Sequence, residues 1–133
     1  MNPNHSNAHE EVSRVLKNYF EGLYHCDTQL LRQVFHPSAI YACATDKELL
    51  TLGMAEYFPI VDKRVSPASR GDARTDRIVS IDFAGPVTAL AKVQCSILPK
   101  HFTDLLSMVF VENRWQIIAK VFHYELQPGP GNS

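Results

Sequence analysis

The chain has 133 residues, 45% of them hydrophobic and 20% charged, a composition that suits one ordinary globular domain and excludes a largely disordered chain. With 13 Lys and Arg against 14 Asp and Glu, the formal net charge is -1, so there is no electrostatic footing for a nucleic acid partner. No apolar run approaches the ~18 residues of a membrane span, and the start MNPNHSNAHEE is neither basic nor apolar; a cytoplasmic protein is expected.

Val12, Val15, Leu16, Tyr19, Phe20, Leu23 and Tyr24 repeat at the spacing of one helical stripe, which predicts a first amphipathic helix capped near Asn7. Asp27 reads as the cap of a shorter second helix carrying Leu30, Leu31, Val34 and Phe35, ended by Pro37, which disfavours helical geometry at His36. A short apolar run, 39–44, a turn at Asp46-Lys47 and residues 48–52 then suggest a hairpin. Residues 54–64 predict a third helix, kinked or broken at Pro59.

The polar segment 62–77 mixes five Lys and Arg with three Asp. Charges of both signs at close spacing largely cancel, so it reads as a solvated loop rather than an anion site. Four β-rich runs follow, 77–84, 87–98, 102–112 and 115–126, joined by links short enough to make antiparallel neighbours. The domain is therefore expected over residues 9–126, with a flexible tail over 1–8 and a disordered one over 127–133.

Strict alternation in the last strand puts Trp115, Ile117, Ala119, Val121 and His123 on one face, and Gln116, Ile118, Lys120, Phe122 and Tyr124 on the other. Both faces carry large apolar groups, yet three helices can cover only one. The fold class is thus α+β, with helices on the concave side of a curved antiparallel or mixed sheet and the outer face packed against a second copy in a homodimer. The open end of such a cone is the expected place for a pocket that takes a small apolar or aromatic ligand.

The segments 19–27 (YFEGLYHCD) and 34–39 (VFHPSA), with 101–107 (HFTDLLS) and 113–124 (NRWQIIAKVFHY), resemble nuclear transport factor 2-like proteins. Within that superfamily they look most like the branch labelled lumazine-binding, close to the polyketide-cyclase-like (SnoaL-like) members. The resemblance implies the cone-shaped α+β fold and, from the branch label, a pteridine-like ligand, although no residue pattern demands one. Set against the ketosteroid isomerases, whose sites pair an Asp base with a Tyr and a protonated Asp, Tyr19 falls at the Tyr position. Cys43 falls at the base position and the acid falls near Ser107. With no carboxylate base there, steroid isomerisation is not expected.

Candidate site residues follow from these faces. Tyr19 lies on the buried stripe of the first helix, either as core or as pocket lining, and its hydroxyl needs a partner. Tyr41 and Cys43 share a strand face and point to the pocket together. His123, grouped with Trp115 and Val121, is expected inward, as a hydrogen-bonded core residue or as the proton-transfer group. Asp104 is an acid or base if its strand end borders the cavity, and inert if it lies at a surface turn. His101 precedes it by three residues, which puts the two on opposite faces unless a bulge intervenes. Catalysis, if present, would rest on His123, Asp104 and Tyr19 in an isomerase, dehydratase or cyclase, with Tyr41, Trp115, His101 and Cys43 contacting the ligand. The competing reading is a non-catalytic binding or dimerisation module.

No cofactor is expected. Three cysteines, Cys26, Cys43 and Cys95, without C-x-x-C spacing read as reduced thiols. No metal-ligand spacing or Gly-rich phosphate loop is present.

Overall fold

The structure, a computed structural model, describes residues 5–127; the outermost parts of both expected tails, 1–4 and 128–133, lie outside the described residues. Helix α1 spans His5–His25, so the chain is helical four residues before the expected domain start, and Ala8 is already buried. The helix stops where Cys26 adopts a left-handed φ of 51°. Asp27 then caps α2 (Thr28–Val34) by accepting the Leu30 N–H through its carboxylate, satisfying one of the orphan donors of the first turn.

Strand β1 begins earlier than Pro37, at Phe35, and runs to Cys43; it pairs with β2 (Leu50–Gly53). Helix α3 (Met54–Lys63) continues without a break through Pro59. The bond forfeited there would have used the carbonyl of exposed Ala55, which water can satisfy. A short fourth helix, α4 (Pro67–Arg70), capped by Ser66 and closed by left-handed Gly71, occupies part of the segment expected as loop. Strands β3 (Arg77–Phe83), β4 (Thr88–Ile97), β5 (Lys100–Val111) and β6 (Arg114–Leu126) complete a six-stranded sheet of order β2-β1-β6-β5-β4-β3. Only β1 and β6 are parallel; the α+β class and mixed sheet are as expected.

One irregularity decides what the sheet presents to the core. Ser107 faces Ala119 while the next residue, Met108, faces Ile117, so Ile118 is an extra residue in β6. Such a bulge shifts the side-chain alternation by one position. Before it Trp115 and Ile117 are buried; after it Lys120 and Phe122 are buried while Val121 and His123 are exposed. On β5 the buried set is regular, Asp104, Leu106 and Met108. The inner face therefore brings Tyr41, Lys120 and Leu106 into one row, with Asp104 and Phe122 opposite each other in the next.

The α1–α2 corner is as tight as a glycine allows. A Cβ on Gly22 would stand 2.5 Å from Leu31 Cδ2 and 2.7 Å from its Cγ, and Leu31 is fully buried. Gly22→Ala should gain up to about 1 kcal/mol in helix propensity but lose about 1–3 kcal/mol to overpacking. A lower urea midpoint is expected; a higher one would show that Leu31 can swing aside.

Candidate functional site

Beneath α1 the inner face holds a polar cluster in a largely apolar interior. Asp104, with no exposed surface, accepts a hydrogen bond from the Tyr19 hydroxyl at 2.5 Å, and Lys120 Nζ lies 4.0 Å from the same carboxylate oxygen. The Lys120 ammonium also sits 5.2 to 5.5 Å from the ring centroids of Tyr19, Tyr41, Tyr57 and Phe122, within cation–π range. Three buried polar atoms, the Tyr57 hydroxyl, Asp104 Oδ1 and Trp115 Nε1, find no partner among the described residues.

Electrostatics fix the protonation of this cluster. Burial alone would depress the Lys120 ammonium, but Tyr57, Asp104, Tyr41 and Cys95 outweigh it and hold its pKa above the ordinary lysine value; the Asp104 carboxylate acts at neutral pH, the phenols and the thiol only once they ionise. Burial, reinforced by the Asp104 charge, pushes the Tyr19 phenol well above its usual value. Burial likewise raises the Cys95 thiol to about 12. At neutral pH the cluster is thus a neutral phenol, a neutral thiol and a fixed ammonium.

The cluster adjoins a cavity at the open end of the cone. Its outer chamber, of about 390 Å³, is walled by Tyr41, Cys43, Phe102, Phe122 and Tyr124 from the sheet, Ile97–Lys100 from the β4–β5 turn, and Arg64, Val65 and Arg70 from α3–α4. A small inner chamber, about 10 Å³, is lined by Lys120, Tyr57, Cys95 and Leu23, and shares Tyr41, Arg64, Ile97 and Phe102 with the outer one. That inner volume is about enough for one water or one ligand oxygen. Tyr41 stacks on Tyr57, with ring centroids 4.6 Å apart.

The sequence-derived candidates divide accordingly. Tyr41 and Cys43 line the outer chamber, and the Cys43 thiol donates to Thr45 Oγ1. Tyr19 and Asp104 are brought together, but behind Lys120, with neither lining the cavity. Ser107, near which the resemblance puts the isomerase acid, shares the outer-face parity of exposed Leu105.

Three expectations are corrected. His123 is exposed on the outer face, bonded to Thr45 through Nδ1 at 2.9 Å, because the bulge at Ile118 reverses its parity. Trp115 is buried at the opposite end, between Phe83 and Phe110. His101 is exposed and hydrogen-bonded to Ser96, sharing with His123 a polar groove on the outer face. Lys120 and Tyr57 were missed. A lone Lys amid the apolar run Ile117–Phe122 was the available signal for the first; Tyr57 carried none beyond helical spacing.

A helical layer on one side of a six-stranded mixed sheet, enclosing a cavity at one end, defines the NTF2-like α+β class. Two solved structures of that class match closely in fold: an NTF2-like protein of unknown function from Shewanella baltica OS155 (TM-score 0.83, 24% identity, covering 96% of this chain and 100% of the other) and one from Silicibacter pomeroyi DSS-3 (TM-score 0.81, 18% identity, 92% and 99%). Residues 7–123 match the family described as putative lumazine-binding, and the chain belongs to that family. A curated relative, the aldolase FrzH of Cladobotryum sp, is 24% identical over 120 residues, covering 89% of this chain and 92% of that protein.

The raised pKa values give a pH signature. Cys95, Tyr19 and Lys120 all hold their protons more tightly in the fold than in the unfolded chain, so their contributions are complete below the unfolded values and are lost as pH rises. Urea stability is expected to be level between about pH 7 and 8 and to decline from about pH 9 to 12. Tyr19→Phe should flatten the part of the decline above about pH 10; an unchanged slope would mean that the phenol titrates alike in both states.

Proposed function

We propose that the protein binds a small carbonyl-bearing molecule with its oxygen in the inner chamber, against the Lys120 ammonium and the Tyr57 hydroxyl, and its body along the aromatic wall of the outer chamber. The supporting observation is the coincidence, in a chamber about one oxygen wide, of a fixed buried cation and an unpartnered buried phenol. A buried donor without a partner carries a desolvation penalty that a ligand acceptor would remove. The sheet-side wall is aromatic, which suits a planar ligand; a pteridinedione, in keeping with the family description, offers both ring and carbonyls.

Preorganised positive charge at a carbonyl oxygen lowers the energy of an enolate or alkoxide formed there. Aldol addition, enol-type isomerisation, dehydration and cyclisation share that need, and the aldolase name of the Cladobotryum relative supports carbonyl chemistry of this kind. His123 plays no part in this reading. Asp104 and Tyr19 act through Lys120 by holding its charge and position.

Thermal-shift and calorimetric titration with lumazine, riboflavin and small aromatic ketones should identify at least one ligand that raises Tm by mass action. Tyr57→Phe should weaken a carbonyl ligand about fivefold, the loss of one hydrogen bond. Lys120→Met should weaken it more; because that variant leaves Asp104 uncompensated at a cost of about 3–5 kcal/mol, Tyr57→Phe is the cleaner probe. Ligand affinity indifferent to Tyr57→Phe would reject this reading. A ligand bound but never converted would identify a binding module.

We further propose that the outer sheet face is covered by a second copy of the chain. Ala42, Val121 and Leu105 form one cross-strand row, and Ile40, Ala119, Ser107 and Leu90 the next; Ile40 and Val121 are each 50% exposed. This apolar strip, bordered by exposed Lys92 beside Leu105, fits an isologous contact. Sedimentation at micromolar concentration should show a dimer, and Val121→Glu a monomer with unchanged secondary structure. A monomeric parent protein would remove the proposal.

A further inference from the structure

Among the described residues two charged side chains of the cavity, Glu48 and Arg64, are engaged by no hydrogen bond, ion pair or aromatic ring, and the one that lines both chambers is Arg64. It follows α3 as the C-cap, in extended conformation with its N–H bonded to the Val61 carbonyl, and it walls both chambers. Among the described residues its guanidinium makes no hydrogen bond or ion pair. The other charges of the 62–77 segment are largely matched: Arg70 pairs with Asp72 at 2.8 Å, and Arg74 with both Glu21 and Asp76 at 2.9 Å. Elsewhere on the outer chamber, Lys100 lies over the Tyr124 ring and Asp46 accepts that residue's hydroxyl. Glu48 is exposed at the rim and does not reach the inner chamber.

Around the inner chamber the fixed charges are then Arg64 and Lys120 against Asp104, a net excess of one positive charge in a partly enclosed space. Such a site concentrates anions, and a planar guanidinium with free N–H groups is matched to a carboxylate, which it can grip through two parallel hydrogen bonds. Arg64 also reaches across the boundary electrostatically, favouring the charged forms of Tyr41 and Cys95.

We infer that the ligand is an acid: an aromatic or similarly flat oxo-carboxylate whose carboxylate is held by Arg64 while its carbonyl oxygen enters the inner chamber. The solvated-loop reading of segment 62–77 thus holds for its paired arginines but not for Arg64. This inference rests on the carbonyl reading for the placement of the oxygen, but the carboxylate contact can be tested apart from it.

Two probe pairs separate the claims: benzoylformate against its methyl ester, and phenylacetate against phenylacetamide, which lacks the ketone. Calorimetric titrations on the full chain should show each acid binding about tenfold or more tightly than its neutral counterpart, as expected for a charge-assisted contact. Arg64→Gln should abolish that preference, bringing each acid to within about twofold of its neutral counterpart. If phenylacetate shows the Arg64-dependent preference and benzoylformate binds no more tightly than phenylacetate, the acid site stands and the carbonyl reading falls. Failure of both acids to outbind their neutral partners, or a preference that survives Arg64→Gln, would overturn the inference.

Discussion

A lysine ammonium can remain inside a sheet only where fixed charges and dipoles replace the water it has lost. In this chain the replacement is Asp104 together with a collar of four aromatic rings. Each part comes from a different element: Asp104 from β5, Lys120 and Phe122 from β6, Tyr41 from β1, Tyr57 from α3 and Tyr19 from α1. The Tyr19 hydroxyl completes the arrangement by occupying one oxygen of Asp104, which fixes the carboxylate without neutralising it. Removing any one of the three polar groups leaves another buried and under-compensated, so the cluster ties the helical layer to the sheet at the point where the cavity begins.

The two ends of the cone have opposite characters for a packing reason. At the closed end Trp115 sits edge-on to Phe83 and Phe110, and large rings from three strands fill the space beneath α1. At the open end the sheet extends past the helices, so that Phe102, Phe122 and Tyr124 have side chains on the inner face with only the α3–α4 corner above them. The hollow is therefore bounded by aromatic surface on the sheet side and by Arg64 and Arg70 on the helical side. A ligand entering it meets a rim of mixed charge, a flat aromatic wall flanked by Arg64 and, at the bottom, the ammonium. This sequence of environments favours a flat molecule with an acceptor at its leading end and negative charge at its flank.

The bulge at Ile118 links the chemistry of the interior to the character of the outer face. By displacing the alternation of β6, it turns Lys120 and Phe122 inward and Val121 and His123 outward. A regular strand would have put the imidazole inside and the ammonium in water. The same shift brings Val121 beside Leu105 and Ala42, making the outer face apolar where two copies of the chain could meet. One inserted residue thus sets both the charge in the core and the apolar strip on the opposite side.

How much of this was legible in the sequence follows from the range of the forces involved. Helix α1, the Asp27 cap, the strand runs, the α+β class and the family resemblance depend on periodicity and local turn chemistry, which neighbours in the chain determine. Tyr19 is legible from the helical stripe of α1 and Tyr41 and Cys43 from an undisturbed strand alternation, while Asp104 is a candidate on the condition that its strand end borders the cavity. His123, Trp115, His101 and Lys120 were misplaced or missed because their positions depend on a bulge and on which end of the cone stays open. Both are settled by how β5 and β6 pair across the sheet and how far the helices reach over it. Those are contacts between residues distant in sequence, and a single strand's pattern carries no record of them.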